Sequence, residues 1–505
     1  MIQFNDNGSW SWFSEERAIV DAKTNTILIG SIGDKFGPGA RDGSTEIAYF
    51  NVEDGSRDRF VLNPFLGSQG GNDHAHPVLD QLSDGRYIAA YANHGLDTIS
   101  RFRVSTNPHD PMSWDNEVTV DNTPPGGGGI DGSTTYSNIF QLAGDGDSER
   151  GRLYNFNRSR GFDPNFNTST DGGKTWQYGG RLLNDNPADP SGRNITRPYA
   201  NYTTNGIDEI HFINTDNHPN NHPISNLYHG VIRDGKVYDS FGAEIDSNLF
   251  DIHGSLPSAP TPIFKGTTGR GGRSAWGSDI ELDASGHPVV VFTTQVNNTG
   301  DDLRYHYARF DGMTWHTNEI AFAGRNALFG QTDYTGNISL DPNDLNTVYV
   351  AADVDPRTGQ ALVSKADGKQ HFEIYKGVTT DEGATFTWTQ VTKDSAYDNL
   401  RPVVPDWDEE NTAVIWMRGL YGLPQVSGNY DRGAGFLDYD LAIVGLVEQA
   451  RNNRGKIRYV DAETSNTSLA NGGRLVTKTG PNAGADDRWH RQTSHGNGGY
   501  VYAAG

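Results

Sequence analysis

Ser169-Thr170-Asp171-Gly172-Gly173-Lys174-Thr175-Trp176 reads as a hairpin turn with a defined chemistry. An Asp at such a turn accepts hydrogen bonds from the backbone N–H groups that follow it, and Gly admits the positive φ that closes the loop. The terminal aromatic packs beneath the turn. The pattern, [Ser/Thr]-x-Asp-x-Gly-x-Thr-[Trp/Phe], is an Asp box. It returns at Thr379-Thr380-Asp381-Glu382-Gly383-Ala384-Thr385-Phe386 and, shortened, at Asp311-Gly312-Met313-Thr314-Trp315. Copies this far apart mark a repeated hairpin unit.

Working outward, the flanking chain supplies many short apolar runs separated by Gly, Pro, Asn and Asp. Examples are Arg17–Gly33, Ile207–Asn214, Leu227–Tyr238, Pro288–Gln295, Leu303–Trp315 and Ala413–Arg418. Such runs read as strands, and no long helical period interrupts them. The fold class expected is all-β, a seven-bladed β-propeller whose blades are four-stranded sheets. Residues 1–505 are expected to form one domain, its ring closed by N- and C-terminal strands. Tyr500–Ala503 is expected to lie beside the N-terminal strands, because closure removes open sheet edges.

Composition narrows the partners. The net charge of −23 leaves no basic face for a nucleic-acid backbone. No apolar run reaches membrane-spanning length, so no membrane partner is expected. With no Cys, disulfides and thiolate metal sites are excluded. The opening MIQFNDNGSWSWF has neither the basic nor the apolar region of a signal peptide.

Candidate chemistry begins at Gly71–Gly95, GNDHAHPVLDQLSDGRYIAAYANHG. Pro77–Leu82 and Tyr87–Ala92 read as strands around Ser83-Asp84-Gly85, with Gly85 supplying the left-handed residue. Centring the loop on Asp84 sets His74 opposite His94 at one end of the pair. Further along, Tyr136 and Asn138 open one strand, and Arg158 ends another, Arg152–Arg158. Arg presents a rigid fork suited to a carboxylate or sulfate. A third group is histidine-rich: Asp216, His218, His222 and His229 are residue types able to ligate Zn²⁺.

Several short motifs, taken in order, resemble the BNR-repeat propellers, and among them the ulvan lyases of polysaccharide lyase families twenty-four and twenty-five. They are Trp12-Phe13-Ser14-Glu15-Glu16-Arg17, Asp73-His74-x-x-Pro77, Asn93-His94-Gly95, Tyr136-Ser137-Asn138, Arg158-x-x-Gly161, Arg197-Pro198-Tyr199, Asp216-x-His218-Pro219 to Tyr228-His229, and Arg401-Pro402-Val403. The likeness runs from about Trp10 to Gly419. It implies β-elimination on ulvan, a sulfated algal polymer of rhamnose 3-sulfate and uronic acid. It also implies His74, His94, Tyr136 and Arg158 as catalytic residues, and Asn138, Arg197 and Tyr199 as substrate-binding residues. A structural zinc is implied at His218, His222, His229 and Asp216, with no organic cofactor. The expected partner is an anionic sulfated polysaccharide. The protein is expected to be a monomer, secreted or periplasmic, with its signal peptide outside this sequence.

The residue types suit that reaction on their own account. A uronate lyase must neutralise a carboxylate, remove the C5 proton and protonate the leaving oxygen at C4. Arg158 and a histidine can do the first. Histidine suits base work near neutral pH. Tyrosine can hold a proton for the leaving oxygen or, deprotonated, act as base. Two other classes fit the same propeller: a sialidase-like glycoside hydrolase and a non-catalytic carbohydrate-binding protein.

Overall fold

Alternation of side chains buries the second strand of each blade on both faces. In the strand Tyr87–Ala92, Tyr87, Ala89 and Tyr91 pack with Leu28 and Ile47 on one side. Ile88 and Ala90 pack with Ile139 and Leu153 on the other. Successive side chains point to opposite faces, so a sheet apolar on both must be sandwiched between two more sheets. Repeated around a circle, this rule gives a propeller.

The computed structural model describes residues 1–39, 41–66, 72–124, 133–146, 150–187, 196–219, 224–267, 273–296, 299–328, 331–422 and 439–450, with short strand segments beyond 455. It is a seven-bladed β-propeller of seven small antiparallel sheets. Blade 1 has Ala18–Asp21 innermost, then Thr26–Ile32, Thr45–Asn51 and Arg57–Asn63. The innermost strands of blades 2 to 6 are Val78–Gln81, Thr135–Leu142, Ala200–Thr204, Arg273–Leu282 and Ile338–Leu340. Blade 7 runs Asp398–Val403, Asn411–Tyr421 and Tyr439–Ala450, and its outermost strand is Ile2–Asn5 from the start of the chain. Ile2 pairs with Gly445 and Gln3 with Val444. The strand beside the N-terminus is thus Tyr439–Ala450, whereas Tyr500–Val501 pairs with Val460–Asp461. Among the described residues no helix is long and apolar enough to cross a membrane.

The Asp boxes sit where their chemistry requires, each between the third and fourth strands of its blade. Asp171 accepts from Lys174 N at 3.0 Å and Thr175 N at 2.9 Å, with Gly173 at φ 82°. Trp176 then stacks on Phe102 of the neighbouring blade, ring centroids 3.8 Å apart. Asp381 repeats the Thr385 contact at 2.8 Å, and Asp311 caps Met313 and Thr314. These turns tie blade to blade and stand at the rim, away from the axis.

The axis itself is filled by chain. Residues Trp10–Arg17 cross the centre, and inward-facing side chains hold their backbone. Asn201 Nδ2 donates to Trp12 O at 2.8 Å, and Asn138 Nδ2 to Phe13 O at 3.2 Å. Glu15 N donates to Asn138 Oδ1 at 2.9 Å, and Arg401 Nη1 donates to Trp10 O. Trp12 and Phe13 are buried and form the floor of one mouth of the propeller.

A candidate active site at the mouth of the propeller

Blades 2, 3, 4, 6 and 7 all send residues onto this floor. The hairpin register is as the turn predicts: Val78 pairs with Ala90 and Gln81 with Tyr87, and Gly85 has φ 83°. Continuing that register brings His74, in the short 3₁₀ turn Asp73–Ala75, against His94. Their rings stack at 4.4 Å, 14° from parallel. Asn72 caps the turn, its Oδ1 accepting from His74 N at 3.1 Å. Its Nδ2 lies 2.8 Å from His94 Nδ1.

Blade 3 aims its tyrosine through a bulge. The ladder pairs Thr135 with Arg158 and then Asn138 with Phe156, leaving Tyr136 and Ser137 in the irregularity. Tyr136 takes φ 62°, a left-handed conformation costly for a bulky side chain. Bulges of this kind re-aim side chains beside functional sites. The result is a Tyr136 ring 5.5 Å from His74 and 6.3 Å from His94. Arg158 lies over it, Cζ 5.0 Å from the ring centre. Arg158 Nη1 donates to Tyr199 Oη at 2.7 Å, and its buried Nε has no hydrogen-bond partner among the described residues. A small pocket lined by Phe13, Tyr136, Arg158 and Tyr199 opens here.

Burial sets the proton states. Tyr136 is pushed well above the ordinary phenol value by burial and by Tyr199, with Arg158 opposing, so it keeps its proton at neutral pH. His94 is held well below the ordinary imidazole value, chiefly by burial, so it is neutral. For Asp73 burial raises the carboxyl, but His74 and Arg401 outweigh it and hold the group well below the usual range.

Of the residues expected from sequence, His74, His94, Tyr136, Arg158 and Tyr199 come together. Arg197, at φ 57°, is half-buried at the edge, its Cζ 5.5 Å from the Phe162 ring that Arg158 also faces. Asn138 lines the same pocket, but its amide is already engaged. Its amide is used on the backbone of Phe13, Glu15 and Phe156, which makes it a clamp on the floor segment.

The residues expected to hold zinc do not converge. Asp216 bonds Asn226 and Tyr228, and His218 packs on Tyr199 and Trp276. His229 faces away from Asp216, because Tyr228 and His229 lie on opposite faces of one strand. Both its ring nitrogens are engaged, Nε2 with His211 at 3.1 Å and Nδ1 with Ser240 at 2.8 Å. His222 lies outside the described residues. Among the described residues no group of three or more His, Asp or Glu side chains is arranged to hold a metal ion. The described residues therefore do not fit a zinc, and no step below uses one.

Five residues of the site had no assigned role in the sequence, and one is Arg401, which pairs with Asp73. Asn72 and Asp73 flank the first histidine. Tyr334 Oη lies 3.3 Å from His74 Nε2. Tyr421 Oη donates to Asp73 Oδ2 at 2.5 Å. For Asp73 the signal was adjacency to His74. Tyr334 and Tyr421 come from blades 6 and 7, and nothing local marks them.

A family model described as BNR repeat-containing family member matches residues 40–323. The chain belongs to the BNR repeat-containing family. No curated protein matches this BNR-repeat chain. Among solved structures it is similar to a polysaccharide lyase described as PL25-Ulvanlyase, at 14% identity and a TM-score of 0.56. That match covers 87% of this chain and 94% of the lyase. A second structure, the PL25-Ulvanlyase bound to -[GlcA(1-4)Rha3S]-, matches at 14% identity and a TM-score of 0.55, with the same coverage. At this identity the likeness shows that the BNR-repeat chain shares the lyase fold.

Proposed function

We propose that this protein is a polysaccharide lyase that cleaves a uronate-containing sulfated polymer of the ulvan type by β-elimination. The observation that carries the reading is one cluster. Two stacked histidines, a protonated tyrosine and an arginine whose buried Nε has no hydrogen-bond partner among the described residues line one mouth of the propeller. The shared fold with a PL25-Ulvanlyase supports it.

The uronate carboxylate lies between Arg158 and His94, whose hydrogen bonds withdraw charge and acidify the C5 proton. His74 Nε2 takes that proton. The C5–H electron pair becomes the C4–C5 double bond as the C4–O bond breaks. The leaving oxygen departs with its bonding pair and collects the Tyr136 proton. Proton return from His74 to Tyr136, through solvent or substrate, resets the site. With Tyr136 held protonated, it fits the acid and His74 the base. Arg197 and Tyr199 border the carboxylate subsite and suit the neighbouring sugar and its sulfate. The polymer dictates action outside the cytoplasm, and the enzyme acts as a monomer.

Incubation with ulvan tests the reading. The unsaturated uronate product absorbs in the ultraviolet, whereas a glycoside hydrolase releases saturated sugar and a binding protein releases nothing. Alginate and heparin serve as uronate controls.

A further inference from the structure

His74 and His94 stack ring on ring, yet their Nδ1 atoms meet opposite chemistry. His74 Nδ1 faces the Asp73 carboxylate, an acceptor only. His94 Nδ1 faces Asn72 Nδ2. The Asn72 carbonyl oxygen already accepts from His74 N, so its other end is the donating NH₂.

We propose that Arg401 and Tyr421, reaching across from blade 7, lock Asp73 so that the two stacked histidines hold opposite tautomers, His74 accepting and His94 donating at Nε2. Asp73 Oδ2 takes Arg401 Nη1 at 2.6 Å and Tyr421 Oη at 2.5 Å, which leaves Oδ1 for His74. Asp73 and Arg401 are 0% and 2% exposed, so neither trades this pairing for water. Arg401 is itself immobilised. It donates to Trp10 O, and its Cζ lies 4.7 Å from the rings of both Trp12 and Tyr421. In the neutral ring the proton of His74 therefore sits on Nδ1, which leaves the Nε2 lone pair toward Tyr334 Oη. On His94 the Asn72 donor takes the Nδ1 lone pair, which puts the proton on Nε2. Roles that stacking alone leaves interchangeable are thus divided: His74 is the acceptor for the C5 proton, and His94 is the donor to the carboxylate. Asn72, Asp73, Arg401 and Tyr421 are positioning residues.

The lock makes a specific claim about Asp73→Asn. Arg401 only donates, so it holds the Asn oxygen toward itself and turns the NH₂ toward His74 Nδ1. That inverts the His74 tautomer and removes the base. The kinetic consequence rests on the lyase reading; the tautomers do not. Nitrogen-15 spectra of histidine-labelled protein, with His74 and His94 assigned from His74→Gln and His94→Gln, read them without substrate. The wild type is expected to show a protonated Nδ1 on His74 and a protonated Nε2 on His94. Asp73→Asn is expected to show His74 reversed, with kcat on ulvan down about 10²–10⁴-fold and KM little changed. Tyr421→Phe, which keeps the ring, guards against misfolding: it is expected to retain the wild-type tautomer with a smaller fall in kcat. A wild-type spectrum with the same nitrogen protonated on both rings overturns the proposal, as does an unchanged His74 tautomer in folded Asp73→Asn. Opposite tautomers without ulvan cleavage leave the lock standing and defeat the lyase reading.

Discussion

The ring of His74 lies 4.4 Å from that of His94 and nearly parallel to it, although twenty residues separate them in the chain. The hairpin between them fixes that distance, and a one-residue slip in its register would put the rings on opposite faces. His94→Ala removes the neutral donor beside Arg158. Its kcat/KM on ulvan should fall about 10²-fold, the scale of one lost charge-stabilising donor. Arg158→Ala should raise KM as well as lower kcat, and Arg158→Lys should recover only part, since an ammonium lacks the planar fork. Steady-state kinetics on the folded variants check both.

The site predicts a pH dependence of stability that runs opposite to ordinary acid denaturation. Burial pushes Glu16 up to about 8 and Asp80 up to about 7, and raises Glu15, Asp279 and Glu281 as well. Glu15 and Glu16 belong to the segment that fills the axis, and Asp80, Asp279 and Glu281 lie on innermost strands around it. A carboxyl whose folded value is raised binds more protons in the folded state than in the unfolded one, so stability falls as pH rises through that window. The window here runs from the unfolded values, 3.8 for Asp80 and 4.5 for Glu16, to about 8. Asp73 is depressed and acts only on the acid side, where its contribution is lost below the ordinary carboxyl value. The melting temperature should therefore decline between pH 5 and pH 8, and Glu16→Gln should flatten the decline. Thermal melts across that range measure it.

Asn138→Ala should act on stability before it acts on binding. It strips partners from Phe13 O, Phe156 O and Glu15 N, all buried. Each buried polar group left unsatisfied costs about 1–3 kcal/mol. Denaturant unfolding should show the loss, with KM for ulvan little changed in protein that remains folded.

Much of the fold was legible because its signals are local. Asp171 and Asp381 announce their turns through the residues that follow them, and Gly85 sets the register of its hairpin. The floor of the site was not legible, because it is made by contacts such as Arg401 with Asp73 and Asn201 with Trp12, which no spacing encodes. The use of the Asn138 amide was not legible either: an Asn beside a site tyrosine reads alike whether its amide meets sugar or, as here, the backbone of Phe13, Glu15 and Phe156. The ring closes on Tyr439–Ala450 rather than on Tyr500–Val501. The longer strand offers more apolar pairing, including Leu441, Ile443 and Val447 in the core, and apolar alternation near a terminus did not distinguish the two.

Metal removal should leave the enzyme intact. His229 spends both ring nitrogens on His211 and Ser240, and Asp216 is bonded to Asn226 and Tyr228. Dialysis against a chelator should change neither the melting temperature nor turnover. A loss of either, restored by Zn²⁺, would place a zinc at the His218–His229 stretch.

The central claim is that His74 and Tyr136 carry out the elimination as base and acid. The measurement that tests it most directly is the ultraviolet absorbance of unsaturated uronate released from ulvan by wild type, His74→Ala and Tyr136→Phe, with polymer binding followed in parallel. Wild type should release product, and each variant should lose about 10²–10⁴-fold in kcat while still binding polymer. Near-normal turnover in both variants, or no unsaturated product from wild type, would contradict it.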